Sequence, residues 1–369
     1  MIDRREKDEE DEEKHHNHRR RRRQRRQRLS LQQKVVLALR HKNTYPHKVS
    51  NIIKVEETHI SWVFLTGLYA YKIKKSLKFG KVIDFSTLQE REKTCYKELM
   101  LNKVLCGDMY IGVVKVIKEE NNGSSSSRFK IVDLEENGKA VEYSLKMRQI
   151  PNKFRMDNLI TAGKVGLKTI GKLTETLVKF HHSAPTNDAI KNFGQPKFLK
   201  KKIAENFHTL AKLKIIDNKF EKKLHSFIKN NVLLFYNRIE KNRIRDIHGD
   251  LYLANIFMMK NRFYLYDRIE FNDFLRYADV AEDVAHLSMD LDYHKRDDLR
   301  KYFISRYITK SNDLNLSRLV YFLMCYKACV RAKVSLFRAK NEKFKNKEMK
   351  YVRESEDHLK LAESYLEFL

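Results

Sequence analysis

Between residues 49 and 151 the apolar positions come in short runs rich in β-branched and aromatic side chains, the signature of strands. VSNIIKVEETHI (49–60), SWVFLTGLY (61–69), AYKIKK (70–75) and MYIGVVKVIKEE (109–120) are the strand segments, with a turn at Thr66–Gly67. FKIVDLEENGKAVEYSLKMRQIP (129–151) predicts a hairpin about Asn137–Gly138, and NNGSSSS (121–127) a loop. Helical spacing appears in LQQKVVLALRH (31–41). It returns in STLQEREKTCYKELMLNKVL (86–105), where Ser86 is the expected N-cap and Leu88, Cys95, Leu99, Leu101, Val104 and Leu105 the apolar positions.

Beyond Pro151 the period changes to that of helices. The segments 169–184, 196–214, 218–239, 277–294, 296–308 and 315–339 all carry it, and a long final helix follows. One strand-like interruption, NRFYLYDRIEF (261–271), lies just after RDIHGDLYLANIFM (245–258). The predicted organisation is a charged tail (1–29), a small β-rich lobe with one helix (30–149) and a larger α-helical lobe (150–369), an α+β class.

Composition sharpens this outline. The 76 Lys and Arg against 48 Asp and Glu give a net charge of +28, which favours anionic partners. The tail runs from DEEDEE (8–13) to HHNHRRRRRQRRQR (15–28) with almost nothing apolar to bury, so disorder is expected there. Weak contact with nucleic acid or another polyanion through residues 19–28 is one use of such a run. Cys95, Cys106, Cys325 and Cys329 form neither a CxxC nor a zinc-ligand pattern, and read as buried thiols. No run of 18 apolar residues occurs and the N-terminus lacks an apolar signal core, so a soluble cytoplasmic chain without membrane contact is expected.

Chemistry concentrates in HGDLYLAN (248–255). Asp250 precedes Asn255 by five residues, the D-x-x-x-x-N spacing of a phosphotransferase catalytic loop, and a strand returning from Asn255 ends at Asp267. A carboxylate and an amide at fixed separation suit Mg²⁺, which takes oxygen ligands. Upstream, Ala70-Tyr71-Lys72 supplies a strand lysine and Glu98 a helix carboxylate. Lys74 is the alternative lysine and Glu92 the alternative carboxylate. GLKTIGKL (166–173) fails as a phosphate-binding P-loop, because Leu173 stands where a metal-binding hydroxyl is needed and no buried strand precedes it.

Taken in this order, the chain resembles the aminoglycoside phosphotransferase-like family of the kinase-like superfamily. Within it, the chain resembles most an uncharacterised prokaryotic branch often fused to a P-loop ATP-binding domain, a domain not expected in this chain. The resemblance spans about residues 45–340. It rests on ETHISWVFLTGLYAYKIKKSLKFG (57–80), HGDLYLANIF (248–257), IEFNDFLRYADVAEDVAHLSMDL (269–291) and YKACVRAKVSLF (326–337). It implies a bilobal protein-kinase-like fold and transfer of phosphate from ATP or GTP to a small-molecule hydroxyl with Mg²⁺. In the implied assignment Asp250 is catalytic, Asn255 and Asp267 hold the metal, Lys72 contacts the α/β-phosphates and Glu98 positions Lys72. His248 supports the loop, and Asp279 and Asp283 brace it rather than react. The β lobe lacks a glycine-rich phosphate loop, leaving the turn near 56–61 to cover the phosphates, and RIE rather than FG follows Asp267. For Glu270 the sequence leaves open a further metal-shell or substrate-contact carboxylate and, equally, a surface or ion-pair residue. An atypical protein kinase on the same fold, or a basic nucleic-acid-binding protein acting through the tail, are the other functions compatible with the sequence.

Overall fold

The structure, a computed structural model, describes residues 29–80, 83–119, 128–212, 218–342 and 344–369. The charged tail up to residue 28 and the 121–127 loop lie outside these. By contacts the chain forms two units. One comprises residues up to Ser76, Phe85–Glu92 and Val113–Lys146; the other comprises Leu77–Asp84, Lys93–Gly112 and Met147–Leu369. This division differs from the linear boundary at 149, since residues 77–84 and 93–112 pack with the later part of the chain.

The smaller unit is built on a six-stranded sheet. Its strands are β1 (Lys54–Glu57), β2 (Ser61–Leu65), β3 (Tyr69–Lys74), β6 (Tyr110–Glu119), β7 (Arg128–Val132) and β8 (Ala140–Arg148), in the order β1-β2-β3-β8-β6-β7. A separate two-stranded ribbon, β4 (Lys78–Phe79) and β5 (Ile83–Asp84), belongs to the larger unit. The expected hairpin about Asn137–Gly138 does not form. β7 pairs with β6 at the sheet edge, and β8 lies on the other side of β6, next to β3. The local Asn-Gly signal specified a turn, and Gly138 does take φ +118°, but sheet order was decided by which strands bury their faces.

Helix α1 (Leu31–Ala38) covers this sheet. Ser30 and Gln33 form its capping box, and Val35, Val36 and Leu39 pack with Phe64, Tyr71, Ile73, Val114, Val116 and Ile131. Glu142 on β8 is fully buried and is satisfied by Arg91 Nε at 2.8 and 3.0 Å and by Gln32 Nε2 at 2.6 Å. Gln32 also reaches Lys74 O, fixing the end of β3.

Helix α2 (Leu88–Cys106) starts two residues after the expected cap. Thr87 Oγ1, not Ser86, accepts from Glu90 N at 3.1 Å. Its buried stripe is Arg91, Cys95, Glu98, Leu99, Asn102 and Cys106, while Val104 is exposed. Half of that stripe is polar, which is why the apolar pattern misplaced the packed face.

The larger unit is helical. Helix α3 (Leu167–Ser183), helix α4 (Ala281–Tyr293) and helix α5 (Val320–Asn341) share one core through Ile170, Leu173, Leu177, Val284, Leu287, Leu291, Phe322 and Leu323. The rejected P-loop segment is the start of α3, preceded by a short helix (Met156–Thr161) rather than a strand. The expected helix at 218–239 is broken at Asn231, and Tyr277–Asp279 forms a short strand, β12, antiparallel to β9 (Ile244–Asp246) instead of opening α4. All four cysteines are free and buried. Among the described residues no helix is long and apolar enough to cross a membrane.

Candidate functional site

Every residue of the candidate catalytic loop belongs to the larger unit. β9 ends at Asp246, the chain turns through His248–Asp250, and a single turn at Leu253–Asn255 leads into β10 (Ile256–Met259). β10 pairs antiparallel with β11 (Arg262–Leu265), with Ile256 opposite Leu265. That register sets Tyr266 N on Asn255 O at 3.0 Å and delivers Asp267 just past the hairpin. Asp267 has φ +66°, a left-handed conformation that aspartate tolerates better than most residues and that recurs at functional sites.

Asn255 is 4% exposed. Its Nδ2 donates to Asp250 O at 3.0 Å and lies 3.4 Å from Asp250 Oδ2, leaving the amide oxygen as the atom it can offer a metal. The position of Asp267 is fixed from both sides. Its backbone N donates to Tyr110 Oη at 3.3 Å. The next residue, Arg268, is buried; its N donates to Asn102 Oδ1 at 3.0 Å and its guanidinium reaches Asp246 Oδ1 at 2.9 Å. Tyr110 is driven far above its ordinary pKa by burial, with Glu98, Cys106 and Asp267 adding to the effect. Glu98 itself is fully buried on α2.

Asp283 holds the loop from below. It is buried on α4, where one carboxylate accepts from His248 N at 2.8 Å, Gly249 N at 2.9 Å and His181 Nε2 at 3.1 Å. Burial, the largest single influence, raises its pKa; the His181 hydrogen bond, the charges of His181 and His248 and the His248 N–H together outweigh that and hold it below the usual carboxylate range. His181, in the last turn of α3, is thus part of the brace, with Nδ1 taking the Tyr307 hydroxyl at 2.7 Å. Gly249 needs its missing side chain: φ is +87°, and a Cβ would meet Ile269 Cδ1 at 3.1 Å and Leu275 O at 3.3 Å. Asp290, two turns further along the same face of α4, accepts from Leu253 N at 2.7 Å. Asp279 instead pairs with Arg238, which also binds Asp313 at 2.8 Å.

His248 is buried and neutral. Its Nε2 meets Tyr266 O at 3.0 Å and its Nδ1 faces Asp250 N at 3.4 Å, the arrangement of an Nε2–H tautomer. Burial lowers its pKa from 6.5 to about 4, as it does for His358, which stacks on Tyr293 at 4.2 Å. In the unfolded chain both take a proton near pH 6.5. Between pH 6.5 and 4 the unfolded state therefore binds more protons, and stability falls as pH falls. A shift of this size is worth about 3 kcal/mol per histidine. Calorimetric Tm should fall steadily from pH 7 to pH 4, with a shallower slope in His358→Phe; a flat Tm across that window contradicts the assignment.

Asp250 keeps 38% of its side chain exposed. The protein packed around it nonetheless raises its pKa; Arg331 opposes the rise, Asp267 adds to it, and Lys327 and Arg338 oppose it. These three cations lie along α5, and the sequence reading assigned them no role. The available signal was Lys327 and Arg331 four residues apart inside the otherwise apolar YKACVRAKVSLF. Lys327 Nζ and Lys202 Nζ each reach one oxygen of the buried Glu282 at 2.9 Å. Glu270 is 2% exposed rather than a surface residue.

In the smaller unit, Lys72 (8% exposed) and Lys74 (fully buried) both lie on β3, opposite Val63 and Ser61 of β2. Lys72 O accepts from Ser144 Oγ at 3.3 Å, and Lys74 Nζ lies over the Phe85 ring. Glu92, the alternative carboxylate, belongs to this unit and Glu98 to the other.

Asn255 and Asp267 supply oxygen donors of the type Mg²⁺ takes. Among the described residues no three His, Cys, Asp or Glu side chains converge as a metal cage. Such a donor pair fits an ion that shares its shell with water and phosphate oxygens rather than one held by protein alone.

No family model matches the chain. Uncharacterized proteins of Mycobacterium tuberculosis and Mycobacterium bovis are 30% identical to it over 302 residues, 80% of this chain and 57% of each relative. The chain thus spans a little over half the length of the curated relatives it matches. Among solved structures it is similar to a choline kinase from Cryptosporidium parvum, at 10% identity, covering 90% of this chain and 94% of that one with a TM-score of 0.51. A Plasmodium vivax ethanolamine kinase is 14% identical, over 84% of this chain and 81% of that one, with a TM-score of 0.47. The likeness to the choline kinase is one of fold: the chain has the α+β kinase-like architecture, a small antiparallel sheet unit and a helical unit.

Proposed function

We propose that the chain is a phosphotransferase that moves the γ-phosphoryl group of ATP or GTP onto a hydroxyl of a small molecule. The observation that supports this best is the Asp250–Asn255 hydrogen-bonded pair, with Asp267 delivered beside Asn255 by the β10–β11 register. In this reading the acceptor oxygen attacks phosphorus and the bond to the β-phosphate oxygen breaks. The hydroxyl proton passes to Asp250, whose raised pKa suits it to accept one. Asn255 and Asp267 would hold Mg²⁺, which neutralises phosphate charge when bound. Lys72 would contact the α/β-phosphates and Glu98 would position it. His248, Asp283 and Asp290 keep the loop in one conformation, so little is lost in ordering it during reaction.

Titration calorimetry with Mg-ADP and Mg-GDP tests the nucleotide part. Wild-type protein should bind at least one of them only when Mg²⁺ is present, and Asp267→Ala should weaken binding at least tenfold. Absence of Mg-dependent binding, together with an indifferent Asp267→Ala, would sink the reading.

A further inference from the structure

The inference rests on Asp250 as the acceptor-facing carboxylate and concerns what the acceptor carries. Several buried polar atoms near Asp250 have no hydrogen-bond partner among the described residues. His286 is 1% exposed, and both of its ring nitrogens are in this state. Its Nδ1 lies 3.7 Å from Asp250 Oδ1, and its ring stacks on Tyr252 at 5.5 Å. Arg331 is 8% exposed, its guanidinium sits 4.2 Å from the centre of the Tyr252 ring, and its Nε lacks a partner. Buried polar groups almost always find a partner, so such atoms beside one carboxylate mark a place that a ligand completes.

Charge gives that ligand a sign. Lys327, Arg331 and Arg338 occupy positions i, i+4 and i+11 of α5, one helical face, and all three act on Asp250. Carboxylates, Asp250 and Asp290 among them, offset only part of this charge. Glu282 is shared between Lys327 and Lys202, two cations on one anion. Asp290, which also attracts Arg331, accepts from Leu253 N. Asp267 is assigned to the metal. A cationic acceptor at this place would meet Arg331 and Lys327 with like charge, whereas an anion would gain charge-assisted hydrogen bonds.

We propose that the acceptor is an anionic hydroxyl compound, a polyol bearing a phosphate or carboxylate, and that Arg331, with Lys327 and Arg338, holds its anionic group beside Tyr252 and His286. Full-length protein would be titrated with glycerol 3-phosphate, gluconate and choline, with Mg-ADP titrated in parallel. At least one anion should bind and choline should not. A preference for glycerol 3-phosphate marks a phosphate site, and a preference for gluconate a carboxylate site. Arg331→Gln should weaken the anion at least tenfold with Mg-ADP affinity unchanged, and Arg331→Lys should recover part of the loss. The proposal is overturned if choline binds more tightly than both anions or if neither anion binds. It is equally overturned if Arg331→Gln, melting like wild type, binds the anion undiminished. Should the Gln variant not fold, the wild-type titrations alone decide. Loss of Mg-ADP binding would remove the nucleotide reading without touching the anion result.

Discussion

Asp283→Ala is expected to cost about 3–5 kcal/mol of stability, the range for removing one partner from a buried charged network. The carboxylate is buried and takes three donors: His248 N, Gly249 N and His181 Nε2. Truncation leaves two backbone N–H groups and the Nε2–H of His181 with nothing to bond, each a desolvation cost of about 1–3 kcal/mol. Asp283→Asn should recover only part of this. His248 N and Gly249 N bond to different oxygens of the carboxylate, so an amide must turn its NH₂ toward one of them. Urea denaturation followed by circular dichroism measures the effect; a loss below about 1 kcal/mol would remove Asp283 from its place as the brace of the loop.

Asp250→Asn is expected to act on rate and not on stability. The side chain keeps 38% exposure, and Asn255 Nδ2 donates to the backbone oxygen of residue 250, which the substitution preserves. Under the proposed function, what is lost is the proton acceptor for the attacking hydroxyl, and acid–base groups of this kind contribute roughly 10²–10⁴-fold. The fall should appear in phosphoryl transfer to the acceptor, with Mg-nucleotide affinity within about a factor of two of wild type, less than 0.5 kcal/mol. Equal losses in rate and nucleotide affinity would point to a role in binding instead.

These two residues were legible to different degrees. HGDLYLAN could be read because its polar residues are fixed by local spacing within an apolar stretch, and the β10–β11 hairpin that brings Asp267 back is itself a local event. The bracing by Asp283 was accessible through its place on the helix after Asp267. The parts that stayed hidden depend on contacts between distant segments. No spacing in the sequence places Lys202 and Lys327 on the same carboxylate, separated as they are by 80 and 45 residues from Glu282. Nothing local marks His181 as part of the brace, because its partners, Asp283 and Tyr307, lie more than 100 residues away. Asn137–Gly138 signalled a turn correctly, yet the strands beside it pair elsewhere, because sheet order follows from burial of whole faces. In α2 the packed face carries Arg91, Glu98 and Asn102. A search for apolar periodicity therefore chose Val104, which faces solvent.

The central claim is that Asp250 and Asp267 serve one phosphoryl transfer, and its most direct test is transfer from radiolabelled Mg-ATP to a pool of hydroxylated metabolites. The wild type should label an acceptor, and both Asp250→Asn and Asp267→Ala should fail to label it above background while remaining folded. Equal labelling by all three proteins, or none by the wild type while it binds Mg-ATP, would contradict the account.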